Sequence, residues 1–223
     1  MLIDTKLVLI AFFITIFCVG IIIILRLTMM KDPIYPIIKG WSLPTFKTGD
    51  LLFVSYQSMR GKLVKVFTGS KWTHMGMVYI PSNSNKQYVI EAAYYDKKNH
   101  GILKTPLQEW LSWNSKRVLG WLSKTGPEIP DHKIEKVLNS ISNADSDMFV
   151  VSWLKAVVTR KYQEDTNKKA FYCSELVAYL CQELGIIRKE LMPSSYSPKV
   201  FIERNIPFIN GNGYLEPKIL SSS

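Results

Sequence analysis

The sequence holds a cysteine and a histidine of the types and spacing used in nucleophilic catalysis. Cys173 lies in the segment 171–185, FYCSELVAYLCQELG, where the spacing of apolar residues predicts a helix that begins near the cysteine. Backbone amides at the start of a helix favour the thiolate, which is the reactive form of a cysteine. A neighbouring histidine can hold that thiolate in an ion pair. His74 is the natural candidate because it lies in a predicted strand, whereas His100 and His132 lie in a predicted loop and at a helix start.

A predicted β-hairpin brings Glu91 toward His74. Two strand-like runs flank a polar turn, and a turn centred at Asn83–Ser84 pairs Glu91 with Gly76. The same register pairs Ala93 with His74, so that Glu91 lies diagonal to the histidine on one face of the sheet. Gly76 has no side chain to block this approach, and a carboxylate there can orient the imidazole. A slip of one residue would instead place Glu91 on the opposite face.

Structural interpretations of the same residue types stay open at this point. A helical cysteine beside apolar residues is most often a small core residue, which is our interpretation of Cys181, while Cys18 lies in an apolar N-terminal segment. No pair of cysteines or histidines has the spacing of metal ligands, and no glycine-rich loop could cradle a phosphate. The sequence therefore predicts neither a metal nor a cofactor.

The remaining patterns supply the elements that would position these side chains. Strands and helices alternate without a regular βαβ rhythm, so the predicted fold class is α+β. Asp131 is a plausible N-cap for a helix with apolar residues at helical spacing, and Gly185 is a suitable helix stop. The other predicted elements are a buried strand at 51–54, a basic helix at 57–68, a short helix at 105–113 and a strand at 118–122.

The segment Leu7–Leu25 contains 19 residues without a charge between Lys6 and Arg26. As a helix it would be roughly 28 Å long, close to the roughly 30 Å of a bilayer's hydrocarbon core. We interpret it as a retained single-pass membrane anchor. A cleaved signal peptide is the competing interpretation, although no small-residue cleavage site follows, and a buried core helix is a third.

The predicted organisation is an anchor at 1–26, a proline-containing tether at 27–48 and one domain at 49–223. More positive charges follow the apolar segment than precede it, which favours a cytosolic domain. Three cysteines among 223 residues exclude a disulfide-rich scaffold and also fit a reducing compartment.

The net charge of +10 is distributed unevenly, with no acidic residue between Leu51 and Ile90. Such a patch can bind nucleic acid, but no nucleic-acid-binding motif accompanies it, so we expect no nucleic acid partner. Attraction to anionic lipid headgroups of the bilayer is simpler beside an anchor, and a solvated basic face is equally consistent. The 47% of hydrophobic residues excludes a wholly disordered chain.

The ordered motifs GDLLF, TGSKWTHMGM, YVIEA, FYCSELV and SPKVF closely resemble a permuted papain-like family. This is the YiiX/YaeF-like branch of the NlpC-type cysteine peptidase superfamily, which is related to the lecithin:retinol acyltransferase-like proteins. In its permuted members the histidine strand precedes the cysteine helix, as it does here. The similarity extends from about Gly49 to about Phe201, and we find no family motif in residues 123–170.

The resemblance implies a circularly permuted papain-like fold and a thiol-dependent acyl transfer. It implies Cys173 as the nucleophile, His74 as the general base and Glu91 as the orienting polar residue. Asp50 and Glu175 also fall in matching motifs, and we interpret both as structural.

Three functional hypotheses follow. The first is a membrane-anchored hydrolase or acyltransferase that acts on an amide or ester, with a lipid or N-acyl substrate favoured by the anchor, the basic stretch and the acyltransferase relatives. The second keeps the mechanism but makes the substrate a peptide or isopeptide amide. The third is a membrane-tethered binding module with an inactive site.

Overall fold

The computed structural model describes residues 37–38, 44–142, 144–146, 170–209 and 211–220, together with positions 15, 17, 20 and 21. Its strands are, in chain order, β1 (Ile37–Ile38), β2 (Leu51–Ser55), β3 (His74–Tyr79), β4 (Tyr88–Tyr94), β5 (His100–Pro106), β6 (Val118–Leu122), β7 (Lys124–Thr125), β8 (Asp145–Ser146), β9 (Ala170–Phe171), β10 (Gly213–Tyr214) and β11 (Lys218–Leu220). Its helices are α1 (Met59–Thr68), α2 (Leu107–Asn114), α3 (Asp131–Ser140), α4 (Cys173–Glu183) and α5 (Pro198–Ile202), with a 3-10 turn at Pro193–Ser195.

A seven-stranded sheet organises the described residues, in the spatial order β1-β11-β6-β2-β3-β4-β5. Neighbouring strands are antiparallel except for the parallel pair β1–β11. Helices and an antiparallel sheet in one body confirm the predicted α+β class. Two short pairs, β7–β10 and β8–β9, lie outside this sheet.

Both faces of the sheet are buried. Successive residues of a strand point to opposite faces, so neighbouring residues of β2 pack into two different cores. In β2, Leu51 and Phe53 face a core that includes residues of α3 and α4. The alternating residues Leu52 and Val54 face a second core that includes Trp110 and other residues of α2. This two-sided burial explains why the run LLFV lacks polar alternation.

The β3–β4 hairpin has the predicted register. Met77 pairs with Ile90, and Tyr79 pairs with Tyr88. A Cβ placed on Gly76 would lie 2.5 Å from Val89 Cγ1 and 3.3 Å from Glu91 Cβ. Glycine therefore permits the close packing of β4 against β3 at this point.

Helix α4 begins and ends at local signals in the sequence. At its start, the backbone amide of Tyr172 donates a hydrogen bond to Glu175 Oε2 at 3.3 Å, which supports the structural interpretation of Glu175. At its end, Gly185 has a φ of 71°, a left-handed conformation that glycine adopts without strain. The helix packs against β3 and β4, the two strands of the hairpin.

Two predicted boundaries are wrong. Ile37–Ile38 forms a strand of the sheet and Phe46 lies in the second core, so the segment 27–48 is not wholly a tether. Asp131 is the first residue of α3 rather than its N-cap, and its carboxylate accepts hydrogen bonds from the backbone and hydroxyl of Ser82 instead.

Strand β5 is the largest missed element. His100, predicted in a loop, is its first residue, and Thr105 and Pro106 belong to it rather than to the following helix. In the described part of the chain, no helix has the length and apolar character needed to cross a bilayer. Most of the predicted anchor lies outside the described residues.

Candidate active site

The thiol of Cys173 and the imidazole of His74 lie close enough for each group to shift the pKa of the other. Cys173 is the first residue of α4, and His74 is the first residue of β3. Helix α4 packs on β3, and the first residues of both elements line one cleft. The thiol is half-buried and the imidazole is buried, so the pair has only limited access to solvent.

Glu91 completes a chain of three groups. Its Oε2 lies 2.6 Å from Nε2 of His74, and the carboxylate has no exposed surface. Since Nε2 binds the carboxylate, Nδ1 is the nitrogen left to face the thiol. The structure thus brings together all three residues that the sequence singled out.

The Glu91 carboxylate accepts hydrogen bonds from three further side chains. Trp110 Nε1 donates to Oε2 at 2.8 Å, and the Tyr95 hydroxyl lies 3.0 and 3.1 Å from the two oxygens. Thr105 Oγ1 donates a longer bond of 3.4 Å to Oε1. An ionised carboxylate only accepts hydrogen bonds, so this set of donors fits the charged form and fixes its orientation.

The electrostatics of the pair favour a thiolate beside an imidazolium. Burial raises the pKa of Cys173, but the His74 charge, its hydrogen bond and the amides of Met75 and Ser174 lower this pKa below its ordinary value. Burial lowers the pKa of His74, but the charges of Tyr56 and Cys173 and the hydrogen bonds to Cys173 and Glu91 raise it well above its ordinary value. The two pKa values therefore move in the directions that stabilise an ion pair.

A cleft of about 950 Å³ opens onto Cys173 and His74. Its walls come from β2, α1, β4, the end of α2 and the starts of α4 and α5. Among the described residues that line it, none is acidic. The aromatic lining residues are Tyr56, Tyr94, Tyr95, Trp113 and Tyr172, and the basic ones are Lys116 and Arg117.

Several residues of this site were missed by sequence reasoning. Tyr56 lies against His74 with ring centres 5.7 Å apart, and Tyr95 and Trp110 hold the carboxylate. The sequence does carry a signal for Trp110, whose helical spacing predicts that it points inward. It contains no signal for the acceptor that its indole N–H meets, because that contact joins separate elements.

Asp50 is structural, as predicted, but it does more than occupy a turn. The carboxylate is fully buried and accepts hydrogen bonds from the indole of Trp121 and from the amides of Lys124 and Lys47. Burial raises its pKa, while these donors partly offset that effect. Asp50 thus joins β2 to the end of β6, away from the cleft.

Within the described ranges, no group of three or more histidine, cysteine or acidic side chains has the arrangement of a metal site. Cys181 is fully buried among apolar residues, with its sulfur 3.7 Å from the hydroxyl of Tyr214. Burial raises the pKa of Cys181 to about 12, so this thiol stays protonated at neutral pH. The pKa of Cys181 is therefore raised, whereas the pKa of Cys173 is lowered.

Comparison with known proteins identifies the family. Residues 45–196 match the family described as permuted papain-like amidase enzymes, YaeF/YiiX, C92. The chain belongs to this family. The match confirms the resemblance seen in the sequence motifs, and membership makes the protein a hydrolase of the amidase type. The matched span includes Cys173, His74 and Glu91.

A search of solved structures finds a similar chain described as metalloprotein yiiX from Escherichia coli O157:H7, DUF1105. The two sequences are 18% identical, and the similarity covers 80% of this chain and 98% of that chain with a TM-score of 0.43. The word metalloprotein in that description refers to the bacterial protein. No curated protein matches this sequence.

Proposed function

We propose that this protein is a thiol hydrolase that cleaves an amide or ester bond through an acyl-enzyme. In this proposal Cys173 is the nucleophile, His74 is the general base and acid, and Glu91 orients the imidazole. The observation that supports it most is the 2.6 Å contact of the His74 imidazole with the buried Glu91 carboxylate, with the thiol of Cys173 beside that imidazole at the wall of an open cleft.

The reaction begins when the thiolate attacks the carbonyl carbon and forms a C–S bond. In this proposal the backbone amide of Cys173, at the start of α4, donates to the resulting oxyanion. The His74 imidazolium then gives its proton to the leaving amine or alcohol as the C–N or C–O bond breaks. Water, deprotonated by His74, hydrolyses the thioester, while attack by another acceptor would make the protein an acyltransferase.

We favour a lipid or N-acyl substrate. The cleft combines aromatic side chains with small apolar ones such as Ala92, Ala93 and Val64, a lining that suits an acyl chain better than a polar peptide. The apolar segment Leu7–Leu25 would hold the enzyme at a membrane, where such substrates concentrate. A peptide or isopeptide amide remains the alternative substrate, because it would undergo the same acyl-enzyme chemistry.

Labelling with an acyl-chain probe that carries a thiol-reactive group tests the mechanism. We expect the wild-type chain to react at Cys173, and Cys173→Ala to abolish labelling. His74→Ala should slow it by about a hundredfold or more, the usual size of a lost acid–base group. Cys181→Ala and His132→Ala are matched controls, since the first thiol is buried in the core and the second imidazole is exposed.

Labelling that persists in Cys173→Ala would overturn the assignment, as would labelling unaffected by His74→Ala. Incubation with lipid, N-acyl and peptide libraries then separates the substrate classes, and cleavage of peptides alone would refute the lipid preference. A Cys173 pKa at or above about 8.5, the value of an unperturbed thiol, would favour an inactive binding module instead.

A further inference from the structure

The side chain of Arg117 is held in a fixed position at the wall of the cleft. Its Nη1 donates hydrogen bonds to Trp113 O at 2.8 Å and to Asn114 Oδ1 at 2.7 Å. Its guanidinium carbon lies 4.6 Å from the centre of the Tyr56 ring, in a cation–π contact. An arginine on the surface is normally mobile, whereas these contacts fix the plane of this one.

The anchoring residues are themselves ordered. Asn114 is fully buried, and its Nδ2 donates to Trp110 O at 2.8 Å. The Tyr56 ring lies against both Arg117 and His74, so a single phenol ring separates the guanidinium from the imidazole of the proposed catalytic pair. Arg117 is thus held by the same group of residues that supports the candidate active site.

One edge of the guanidinium is left for a ligand. Arginine has five N–H donors in a planar fork, and the interactions above occupy those of Nη1. Within the described part of the chain, Nε and Nη2 make no hydrogen bond and no carboxylate pairs with Arg117. The edge formed by Nε and Nη2 is the one that binds a carboxylate or phosphate through two parallel hydrogen bonds.

The charge of the residues that line the cleft also favours an anionic ligand. Lys116 lies beside Arg117 in the cleft wall, and the described lining residues include no aspartate or glutamate. A water-filled cleft lined by one sign of charge concentrates ligands of the opposite sign. The same cleft contains Cys173, so a ligand held at Arg117 would be near the thiol.

The geometry points to an anion-binding subsite formed by Arg117, with Lys116 beside it, that holds a carboxylate or phosphate of the acyl substrate. This inference rests on the thiol hydrolase function proposed above and narrows its substrate to an anionic acyl compound. The acyl chain would lie along the aromatic side of the cleft, with its carbonyl at Cys173. An N-acyl amino acid and an acyl glycerophosphate both present this chemistry.

Two small alkylating agents test the subsite without knowledge of the substrate. The two reagents are 6-(iodoacetamido)hexanoate and its amide, which react in the same way, with the thiolate displacing iodide. Only the first carries a carboxylate, at the end of a flexible chain that can extend past the Tyr56 ring. We expect Arg117→Gln to lower the rate ratio of the carboxylate reagent to its amide at Cys173 by about tenfold to a hundredfold, the range for a lost charged hydrogen bond. Rates are compared at their high-pH limits, so that a change in thiol pKa does not enter.

Matched variants separate a local contact from general charge and from structural support. Arg188→Gln removes one positive charge from an exposed ion pair with Glu190, and should leave the ratio unchanged. Arg117→Lys keeps the charge without the fork and should give an intermediate ratio. Because Arg117 also binds the last turn of α2, each variant is checked by thermal unfolding, and a purely structural role would change both alkylation rates equally.

A binding measurement keeps the subsite testable even if the thiol is unreactive. Full-length Cys173→Ala is titrated with N-dodecanoylglycine, dodecanoylglycerol phosphate and their neutral counterparts, dodecanoylglycinamide and dodecanoylglycerol. We expect the anionic member of at least one pair to bind at least tenfold more tightly, and Arg117→Gln to remove that difference. The pair that discriminates identifies carboxylate or phosphate as the anion.

Equal binding within both pairs, or a rate ratio unchanged in Arg117→Gln, would refute the subsite. Failure of the hydrolase proposal has a different signature. In that case Cys173 reacts no faster than a free thiol with either reagent, and His74→Ala makes no difference. The two outcomes are therefore distinguishable in one set of measurements.

Discussion

At the scale of single residues, the candidate site depends on a carboxylate with more hydrogen-bond donors than catalysis by itself requires. Glu91 accepts from Trp110, Tyr95 and Thr105 in addition to its contact with His74. A buried charge is tolerated only when its hydrogen bonds are made. The same donors that offset the cost of burying the Glu91 carboxylate therefore also fix the orientation of the imidazole.

Tyr95→Phe tests this support. The substitution deletes the hydroxyl that lies 3.0 and 3.1 Å from the two carboxylate oxygens. We expect the free energy of unfolding in urea to fall by about 1.5–3 kcal/mol, the range for a hydrogen bond to a charged group. Tyr94→Phe is the neighbouring control, because that side chain is 45% exposed. Equal losses in the two variants would contradict the role assigned to Tyr95.

Glu91→Gln should move the pH profile of hydrolysis. The reactive ion pair exists above the lowered pKa of Cys173 and below the raised pKa of His74, so kcat/KM should be bell-shaped. Removing the negative charge beside the imidazolium lowers the pKa of His74. The alkaline limb is therefore expected to shift to lower pH, and an unshifted or raised limb would count against the ion pair.

At the scale of elements, one hairpin and one helix bring the three groups together. The β3–β4 hairpin supplies His74 and Glu91, and α4 supplies Cys173. Within the hairpin, the packing of β4 against β3 depends on Gly76, where a Cβ would lie 3.0 Å from Ile90 O and closer still to Val89. The absence of a side chain at this position lets β4 carry its glutamate close to the histidine.

Gly76→Ala should disturb both stability and reactivity. We expect a loss of about 1–3 kcal/mol of unfolding free energy from overpacking, with slower alkylation of Cys173 as β4 shifts. Gly120→Ala is the matched control, because its Cβ would lie 2.6 Å from the Trp72 ring, away from Glu91. Both variants should be less stable, but only Gly76→Ala should change the reactivity of folded protein.

The sequence predicts some of these elements better than others, because some depend on local patterns and others on contacts between distant parts of the chain. The hairpin register and the start of α4 follow from local patterns, namely a short polar turn and helical spacing. Strand β5 was missed because HGILKTP has weak alternation, although Asp96 and Asn99 before it are typical turn residues. The β1–β11 pair was not predictable, since it joins two very short strands far apart in the chain.

Prediction of the candidate site from the sequence is limited in the same way. Residue types identify Cys173, His74 and Glu91, because nucleophile, base and carboxylate are recognisable chemistry in a hairpin and a helix. Tyr95 and Arg117 are not recognisable in this way. Their roles depend on which atoms they face across the cleft, and only tertiary packing determines that.

At the scale of the whole molecule, the proposed catalytic residues lie away from the edge where the chain enters the sheet. Strand β1 forms one edge and β5 the other, with β4 next to β5 and β3 next to β4. Residues 7–25 precede β1 along the chain. A membrane attachment through that segment would thus join the sheet at the β1 edge, which is far from Glu91.

Fractionation of the full chain tests the proposed anchor. We expect the wild-type protein to stay with membranes after alkaline carbonate extraction. Replacing Ile14 and Val19 with arginine should release it, because each charge costs about 2.5–3.5 kcal/mol near the centre of a spanning helix. Replacing the same two residues with leucine is the control.

Release of the wild-type chain by carbonate would contradict the anchor. A mass measurement of the membrane-associated protein adds a second criterion. A retained anchor leaves residues 1–26 in the mature chain, whereas a cleaved signal peptide removes them.

The order of the hairpin and the helix along the chain has a consequence for biosynthesis. Glu91 and Cys173 are 82 positions apart, so the ribosome needs roughly 4–16 s to reach the cysteine after the glutamate, at about 5–20 residues per second. During that interval the nascent chain contains both partners of the thiol but not the thiol itself. With Cys173 as the proposed nucleophile, each newly made molecule would therefore be inert toward acyl groups until α4 has emerged and packed onto the hairpin.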